Sequence, residues 1–141
     1  MIRQVPYWEV KALWPVVGPM LEKVIGLQDE WSLQGVYERL LYAPLDPCPM
    51  QLWHVPGHGA LVTQINVFPM TGVRKLLIFM SGGEHARGCL EVIDHIRDWA
   101  VEYHRLSPGR DKILIHGRWG WKKLLEPKGF HLKTICMERP I

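Results

Sequence analysis

The stretch Leu76-Leu77-Ile78-Phe79-Met80, followed at once by Ser81-Gly82-Gly83, decides the fold of this chain. Five consecutive apolar residues are typical of a β-strand that is covered on both faces. The three small residues that follow end the strand, because serine and glycine favour turns and loops. The sequence therefore predicts a strand from Val73 to Met80 that lies in the centre of a sheet.

Downstream of this strand the apolar period becomes helical. An amphipathic helix is predicted from about Gly88 to Tyr103, with Trp99 and Tyr103 on its apolar stripe. A loop at 107–109 and a short buried strand from Lys112 to His116 follow. Strand, helix and strand in this order predict two parallel strands joined by a right-handed crossover. A short helix over about 119–125 and a last strand over about 130–137 complete the prediction.

Upstream of the central strand, apolar residues alternate with a period of two. The pattern predicts strands over 50–55 and 60–68, separated by the turn Pro56-Gly57-His58-Gly59. A second turn at 69–72 leads into the central strand. These three strands are expected to form an antiparallel meander.

The first 41 residues carry helical spacing. Residues 7–25 predict a helix that Pro15 and Pro19 either kink or divide into two, ending near Gly26. Ser32 is a suitable N-cap for a second helix over 33–41. Three prolines within 42–49 then predict a connector without a helix.

Composition bounds the class of protein. The chain has 141 residues, of which 48% are hydrophobic and 22% charged, as is typical of a globular protein of one domain, here 1–141. No apolar run approaches the roughly 20 residues of a membrane span. The first residues lack the apolar core of a signal peptide, so a cytoplasmic protein is expected. The three cysteines have neither disulfide nor metal-ligand spacing, and no metal site is predicted.

Positive charge is concentrated at the C-terminal end of the sequence. Residues 112–141 contain seven basic and two acidic side chains, whereas 1–111 contain 10 and 12. Such an excess suits a phosphate-bearing cofactor, a nucleic acid or an acidic partner, and it is also common on solvated surfaces. Nucleic acid is the least favoured of these, because no reader motif accompanies the charge.

Several short motifs resemble those of one family. Residues 117–130 look like the closing segment of the GNAT acyltransferases, in which a short helix ends in Gly-Phe before a final strand. The order of predicted elements also resembles the GNAT fold: N-terminal helices, then an antiparallel meander that leads into a mixed central sheet with a β-α-β crossover. The resemblance is closest to small GNAT-like proteins encoded by tailed bacteriophages, and its motifs here are Leu13-Trp14-Pro15, Gln51-Leu52-Trp53, Val62-Thr63-Gln64-Ile65, Gly82-Gly83-Glu84 and Gly117-Arg118-Trp119-Gly120-Trp121.

The resemblance implies an acetyl-coenzyme A site at the loop after the central strand. In the family, backbone amides of this loop and the following helix N-terminus hold the cofactor pyrophosphate. Here the loop is 81–88, and the resemblance assigns cofactor binding to Ser81, Gly82, Gly83, Arg87 and Gly88. The family's loop motif is degenerate in this chain, with His85 and Leu90 at positions that it reserves for other residue types. A plain connection between strand and helix is therefore the alternative.

Acyl transfer to an amine requires a base, and often an acid for the departing thiolate. Glu84 and His116 are the predicted catalytic residues, because both follow central strands whose carboxyl ends carry ligands in open α/β sheets. The alternatives are a solvated loop carboxylate and a structural histidine. The family's tyrosine acid corresponds to Leu125 here, so Tyr103 or an ordered water would have to replace it.

Two functions remain open at this stage. The first is an acetyl-coenzyme A-dependent N-acyltransferase that acts on an amine of a protein or small molecule, encoded by a phage and working in the host cytoplasm. The second is a GNAT-like protein without catalysis that serves as a virion component or binds a host or phage protein. The fold alone does not decide between them.

Overall fold

The structure is a computed structural model that describes residues 1–25, 31–82, 91–116, 120–133 and 137–141. In these ranges the chain forms a five-stranded sheet in the order β1-β2-β3-β4-β5, with four α-helices and two short 3-10 helices. The elements in chain order are β1 (Arg3–Val5), α1 (Tyr7–Ile25), α2 (Leu33–Leu41), a 3-10 turn (Ala43–Leu45), β2 (Met50–Val55), β3 (Gly59–Val67), β4 (Arg74–Gly82), α3 (Ile93–His104), β5 (Lys112–Ile115), α4 (Gly120–Leu125) and a second 3-10 turn (Glu126–Lys128).

The central strand lies where the sequence predicts it. β4 pairs antiparallel with β3 on one side and parallel with β5 on the other, where Lys75 is the register partner of Lys112 and Ile78 that of Ile115. The predicted meander of β2, β3 and β4 is confirmed. A mixed sheet with a β-α-β crossover through α3 is the result.

The two faces of the sheet carry separate hydrophobic cores, as alternation along each strand requires. Helices α1 and α2 cover the first face, where Leu21, Val36, Leu52 and Val62 are completely or almost completely buried. Leu77 of β4 packs against this same cluster. Among the side chains of the apolar run that the structure describes, Leu77 contributes to the core of α1 and α2.

Helix α3 and the end of α4 cover the second face of the sheet. Leu76 and Ile78 of β4 meet Ile96 of α3 and Leu125 of α4 in this core. Because Leu76 and Ile78 alternate with Leu77, the residues of β4 point in turn to the two cores. This division explains why Leu76, Leu77 and Ile78 are all apolar.

The N-terminal region agrees in outline with the sequence. Residues 7–25 form one helix that contains both Pro15 and Pro19, and Ser32 caps α2 by accepting a hydrogen bond from the amide of Gly35 at 3.0 Å. β1 is an element that the sequence analysis missed. It has three residues, of which only Val5 is buried, so it carries too little periodicity to be recognised.

Hydrogen bonds of Asp111 and Arg74 connect the segments at the ends of the crossover. The Asp111 carboxylate accepts hydrogen bonds from the backbone amides of Ser107, at 2.7 Å, and Arg74, at 2.9 Å. The Arg74 guanidinium in turn donates to the carbonyls of His104 and Arg105, which end α3. β4, α3 and β5 are therefore held to one another where β4 and β5 begin.

Two predictions for the crossover helix are wrong. Glu91 and Val92 form a turn and α3 begins at Ile93, later than the predicted Gly88, which lies outside the described residues. Tyr103 is 68% exposed, and Trp99 is only partly buried. Ala100, which lies between them, is buried, so the inward face near the end of α3 is centred on Ala100 and leaves Tyr103 exposed.

The predicted last strand is also wrong over the residues that can be compared. Residues 130–133 and 137 have no strand conformation, whereas 134–136 lie outside the described residues. Phe130 packs against the second core, but Leu132 is 53% exposed. Alternation of two apolar residues is not sufficient for a strand, because its backbone groups also need a neighbouring strand.

Among the described residues, no helix combines the length and the hydropathy of a membrane span.

Candidate functional site

The sheet divides at the carboxyl ends of its two parallel strands. β5 pairs with β4 only as far as the partners Ile78 and Ile115, whereas β4 continues to Gly82 in contact with β3. Over Phe79–Gly82, β4 therefore has a described strand on one side only. The backbone groups of this segment that face the β5 side are not used by the β5 ladder of the described residues, which ends at Ile115. We call this place the β4–β5 notch.

A β-bulge lies at the start of the notch. Val62 pairs with Met80 and Thr63 pairs with Ile78, so Phe79 is an additional residue of β4 without a partner on β3. Bulges bend a strand and are enriched beside active sites, where they release backbone groups from the ladder. Nothing in the sequence indicates this bulge, because a run that is apolar throughout fits any register.

A buried polar chain supports the strand opposite the bulge. The indole Nε1 of Trp53 donates to Thr63 Oγ1 at 2.9 Å, and this hydroxyl donates to Gln51 Oε1 at 2.8 Å. Gln51 Nε2 completes the chain by donating to the Pro49 carbonyl at 2.9 Å. Thr63 is fully buried, so its hydroxyl fixes β2 and β3 at the level where the register of β4 changes.

The predicted cofactor residues are only partly within the described residues. Ser81 and Gly82 form the last residues of β4, where they pair with Leu61 and Ala60 of β3. They therefore lie on the notch at the carboxyl end of β4. The prediction that the strand ends at Met80 and that Ser81 and Gly82 belong to the following loop is wrong, because the ladder with β3 continues to Ala60. Gly83, Arg87 and Gly88 lie outside the described residues, and their assignment stays a prediction.

Of the two predicted catalytic residues, one can be placed. His116 directly follows β5 and is exposed, at the same edge of the sheet as Ser81 and Gly82. Glu84 lies outside the described residues. The topology thus brings His116 to the notch, while its role as a base stays a prediction.

The structure also places the residues considered for the acid. Leu125 is buried in the second core, with 8% of its surface exposed, so this position contributes packing. Tyr103 lies ten residues after Ile93 in α3. At 1.5 Å per residue, the two residues are about 15 Å apart along the helix axis. It is therefore near the start of β5 and far from the notch, which removes it as a candidate acid.

Two histidines of the described ranges, His95 and His104, pack against tryptophan rings. His104 stacks against Trp99, with ring centroids 4.5 Å apart, and His95 lies edge-on to Trp53 at 6.4 Å. Burial and the nearby Arg3 charge lower the pKa of His54, which keeps its imidazole neutral. No group of three or more potential metal ligands occurs among the residues described.

A separate groove of about 670 Å³ lies between α3, β5 and residues 128–130. Its floor includes Leu76, Ile113 and Phe130, and Asp94 and Asp98 of α3 line one side. None of the described residues of the notch lines it. The groove is therefore distinct from the β4–β5 notch.

Several solved structures with a similar chain path are acetyltransferases by name. An aminoglycoside acetyltransferase from an uncultured soil metagenomic sample superposes with a TM-score of 0.68 at 13% identity, covering 100% of this chain and 97% of its own. Ribosomal-protein-alanine N-acetyltransferase from Brucella melitensis biovar Abortus 2308 gives 0.62 at 12% identity, covering 100% and 99%. The chain has the GNAT fold. Glucosamine-6-phosphate N-acetyltransferase from Arabidopsis thaliana gives 0.60 at 13% identity, covering 99% and 97%.

The GNAT fold thus extends over the full chain, and the fold class expected from the sequence is confirmed. No protein-family model matches the chain, and no curated protein matches its sequence. At 12–13% identity, the likeness to these structures concerns the fold alone. The activity has to be argued from the notch.

Proposed function

We propose that this protein is a GNAT-type N-acyltransferase that binds acetyl-coenzyme A in the β4–β5 notch. The observation that carries the proposal is the bulged end of β4, which extends to Gly82 beyond the last β5 pair. In open α/β sheets, ligands bind outside the carboxyl ends of the strands, and unpaired backbone amides favour carbonyl oxygens and phosphates. The fold of the named acetyltransferases supports the same assignment.

The residue types at the notch and in the loop after it suit a cofactor that carries phosphopantetheine. Gly82 carries no side chain, which permits a ligand to approach the backbone closely. The following loop includes Gly83, Arg87 and Gly88, of which the arginine supplies a charge suited to pyrophosphate. When bound, acetyl-coenzyme A supplies the activated acyl group, and the chain supplies the position for it.

An amine acceptor agrees with the names of the structural neighbours, one of which is seen in complex with the aminoglycoside sisomicin. In our proposal, His116 or Glu84 takes the proton of the attacking amine. His116 stands at the end of β5, beside the segment of β4 that lacks a β5 partner. The acceptor is a small molecule or a protein, and the host cytoplasm of a phage is the setting that the sequence motifs favour.

The buried Leu125 favours a second candidate function. A leucine cannot protonate a departing thiolate, and Tyr103 is too far from the notch to replace it. The second candidate is thus a GNAT-fold protein that binds the cofactor or a phage or host protein without turnover. An ordered water as the acid would restore the enzymatic candidate.

Calorimetric titration with acetyl-coenzyme A tests the proposed site. Gly82→Val should weaken binding by about tenfold or more, because the added side chain obstructs the backbone while a β-branched residue remains suited to a strand. Gly109→Val is the matched control, since Gly109 lies in the loop before β5, with open space around it. This control should bind acetyl-coenzyme A as the wild type does.

Release of free thiol in the presence of an aminoglycoside, an alanyl peptide or an amino sugar separates the two candidate functions. Turnover that depends on the amine and falls in His116→Gln, with cofactor binding retained, supports the enzyme. Binding without turnover for the whole panel supports the second candidate. Absence of binding by the folded wild type at millimolar acetyl-coenzyme A would exclude both cofactor-dependent forms of the proposal.

A further inference from the structure

Three lysines converge at the other end of the parallel pair, where β4 and β5 begin. Lys75 and Lys112 are register partners, so their Cα atoms lie about 4.8 Å apart and their side chains leave the sheet on the same face. The positive charge of Lys133 acts on the ammonium group of Lys75 and is the largest cause of its lowered pKa. We call these residues the lysine cluster.

The charges of the lysine cluster are not compensated within the described part of the chain. None of the ion pairs found there includes Lys75, Lys112 or Lys133. Asp111, the acidic neighbour in sequence, is already bonded to Arg110 and to the amides of Ser107 and Arg74. The neutral residue Asn66 is the partner of Lys75 on β3.

Repulsion within the cluster acts on Lys75, its central member. The pKa of Lys75 lies below its ordinary value, first because of the Lys133 charge, then because of burial, with Lys112 contributing in the same direction. Within the described part of the chain, the Phe68 ring lies 5.0 Å from Lys75 Nζ and forms an attractive contact with this ammonium group. An anion between the ammonium groups would turn the repulsion into charge-assisted hydrogen bonds.

We propose that the lysine cluster is a binding site for a phosphate group, carried by a free inorganic anion or by a phosphate ester. A phosphate oxyanion offers several acceptor oxygens and close to two negative charges, which matches the ammonium donors of the lysine cluster. The site is separate from the β4–β5 notch. Lys75 precedes Phe79 by four residues of the same strand, or about 13 Å at 3.3 Å per residue.

Thermal unfolding in phosphate and chloride buffers of equal ionic strength gives the first test. Lys133→Gln should raise the melting temperature in chloride, because it removes a like charge from Lys75. Phosphate should raise the melting temperature of the wild type and have a smaller effect on Lys133→Gln. Lys11→Gln is the control, since Lys11 is an exposed lysine of α1, and it should respond to phosphate as the wild type does.

Titration with inorganic pyrophosphate, followed through the backbone amide resonances, gives the second test. The amides of Lys75 and Lys112 should shift, and each lysine-to-glutamine change in the cluster should weaken binding about three- to fivefold, as is reasonable for solvent-accessible charges. Glycerophosphate in place of pyrophosphate distinguishes the sources of the phosphate. Tighter binding of glycerophosphate assigns the site to esters, and tighter binding of pyrophosphate assigns it to free anions.

Three results would overturn the proposal. The first is an equal loss of phosphate response in Lys11→Gln and Lys133→Gln, which would indicate screening of the overall charge. The second is a lower melting temperature of Lys133→Gln in chloride, and the third is amide shifts that do not include Lys75 or Lys112. Because no probe here is acetyl-coenzyme A, these results do not depend on the function proposed for the notch.

Discussion

Replacing Thr63 with valine should destabilise the protein strongly, although the two side chains have nearly the same shape. The Thr63 hydroxyl accepts from Trp53 Nε1 at 2.9 Å and donates to Gln51 Oε1 at 2.8 Å, in a position with no exposed surface. Valine has no hydroxyl, so the Trp53 Nε1 donor and the Gln51 Oε1 acceptor both lose their hydrogen bond to residue 63. At about 1–3 kcal/mol for each unsatisfied group, we expect a loss of about 2–4 kcal/mol in the free energy of unfolding.

Thr63→Ser is the matched comparison, because serine keeps the hydroxyl and removes only the methyl group. Its expected loss is about 1 kcal/mol, the contribution of one buried methyl group with a small cavity. Urea unfolding followed by tryptophan fluorescence measures both variants, and near-ultraviolet circular dichroism reports whether the tryptophan environment changes. If Thr63→Val were as stable as Thr63→Ser or more so, the hydroxyl would not be the link that fixes β2 to β3.

Three further predictions concern the crossover. Trp99→Ala should lower the free energy of unfolding by about 2–3 kcal/mol, because Trp99 contacts Trp53 edge-on at 5.0 Å but is only partly buried; a loss below about 1 kcal/mol in urea would show that the contact is unimportant. Arg105→Gly should raise the free energy of unfolding by up to about 1 kcal/mol, because Arg105 ends α3 at a φ of 58°, in the left-handed region that favours glycine. A lower melting temperature of this variant would contradict the prediction. Asp111→Asn should lower the urea midpoint at neutral pH, because hydrogen bonds from the Ser107 amide, Arg110 and the Arg74 amide hold the pKa of Asp111 below its ordinary value. The stabilisation by the Asp111 carboxylate is present above its unfolded pKa and declines as the pH falls toward its folded pKa. The difference in urea midpoint between wild type and Asp111→Asn should therefore shrink below about pH 4. A difference that stays constant would contradict this reasoning.

The middle of the fold could be predicted because its signals are local and agree with one another. The alternation in 50–55 and 60–68 is bounded by turns that contain proline and glycine, and the apolar run of β4 allows few positions other than the centre of the sheet. The order of strand, helix and strand then fixes the parallel pairing of β4 with β5. Ser32 as the cap of α2 is likewise a local signal, and it is confirmed.

The remaining features depend on pairing partners, which the sequence does not display. The residues after Phe130 alternate as a strand would, but Leu132 is exposed and no strand forms over 130–133. The bulge at Phe79 results from the register between β3 and β4, and the meeting of Lys75 with Lys112 from the register between β4 and β5. Register is a property of two segments, so neither could be read from one apolar or basic segment.

The sequence predicts the edge of the sheet at which the candidate site lies, but not the geometry of the site. Ser81, Gly82 and His116 lie at the carboxyl ends of β4 and β5, where the order of elements places them. The resemblance predicted from the sequence that Leu125 stands where an acid would be needed, whereas the distance of Tyr103 from the notch required the geometry of α3.

Hydrogen exchange of the backbone amides with and without acetyl-coenzyme A tests the central claim most directly. If the cofactor binds in the β4–β5 notch, exchange should slow at Phe79–Gly82, whose backbone lacks a β5 ladder, and stay unchanged at the beginnings of β4 and β5. Protection confined to the groove between α3 and β5, or unchanged exchange throughout the chain at millimolar cofactor, would contradict the proposed acyltransferase site.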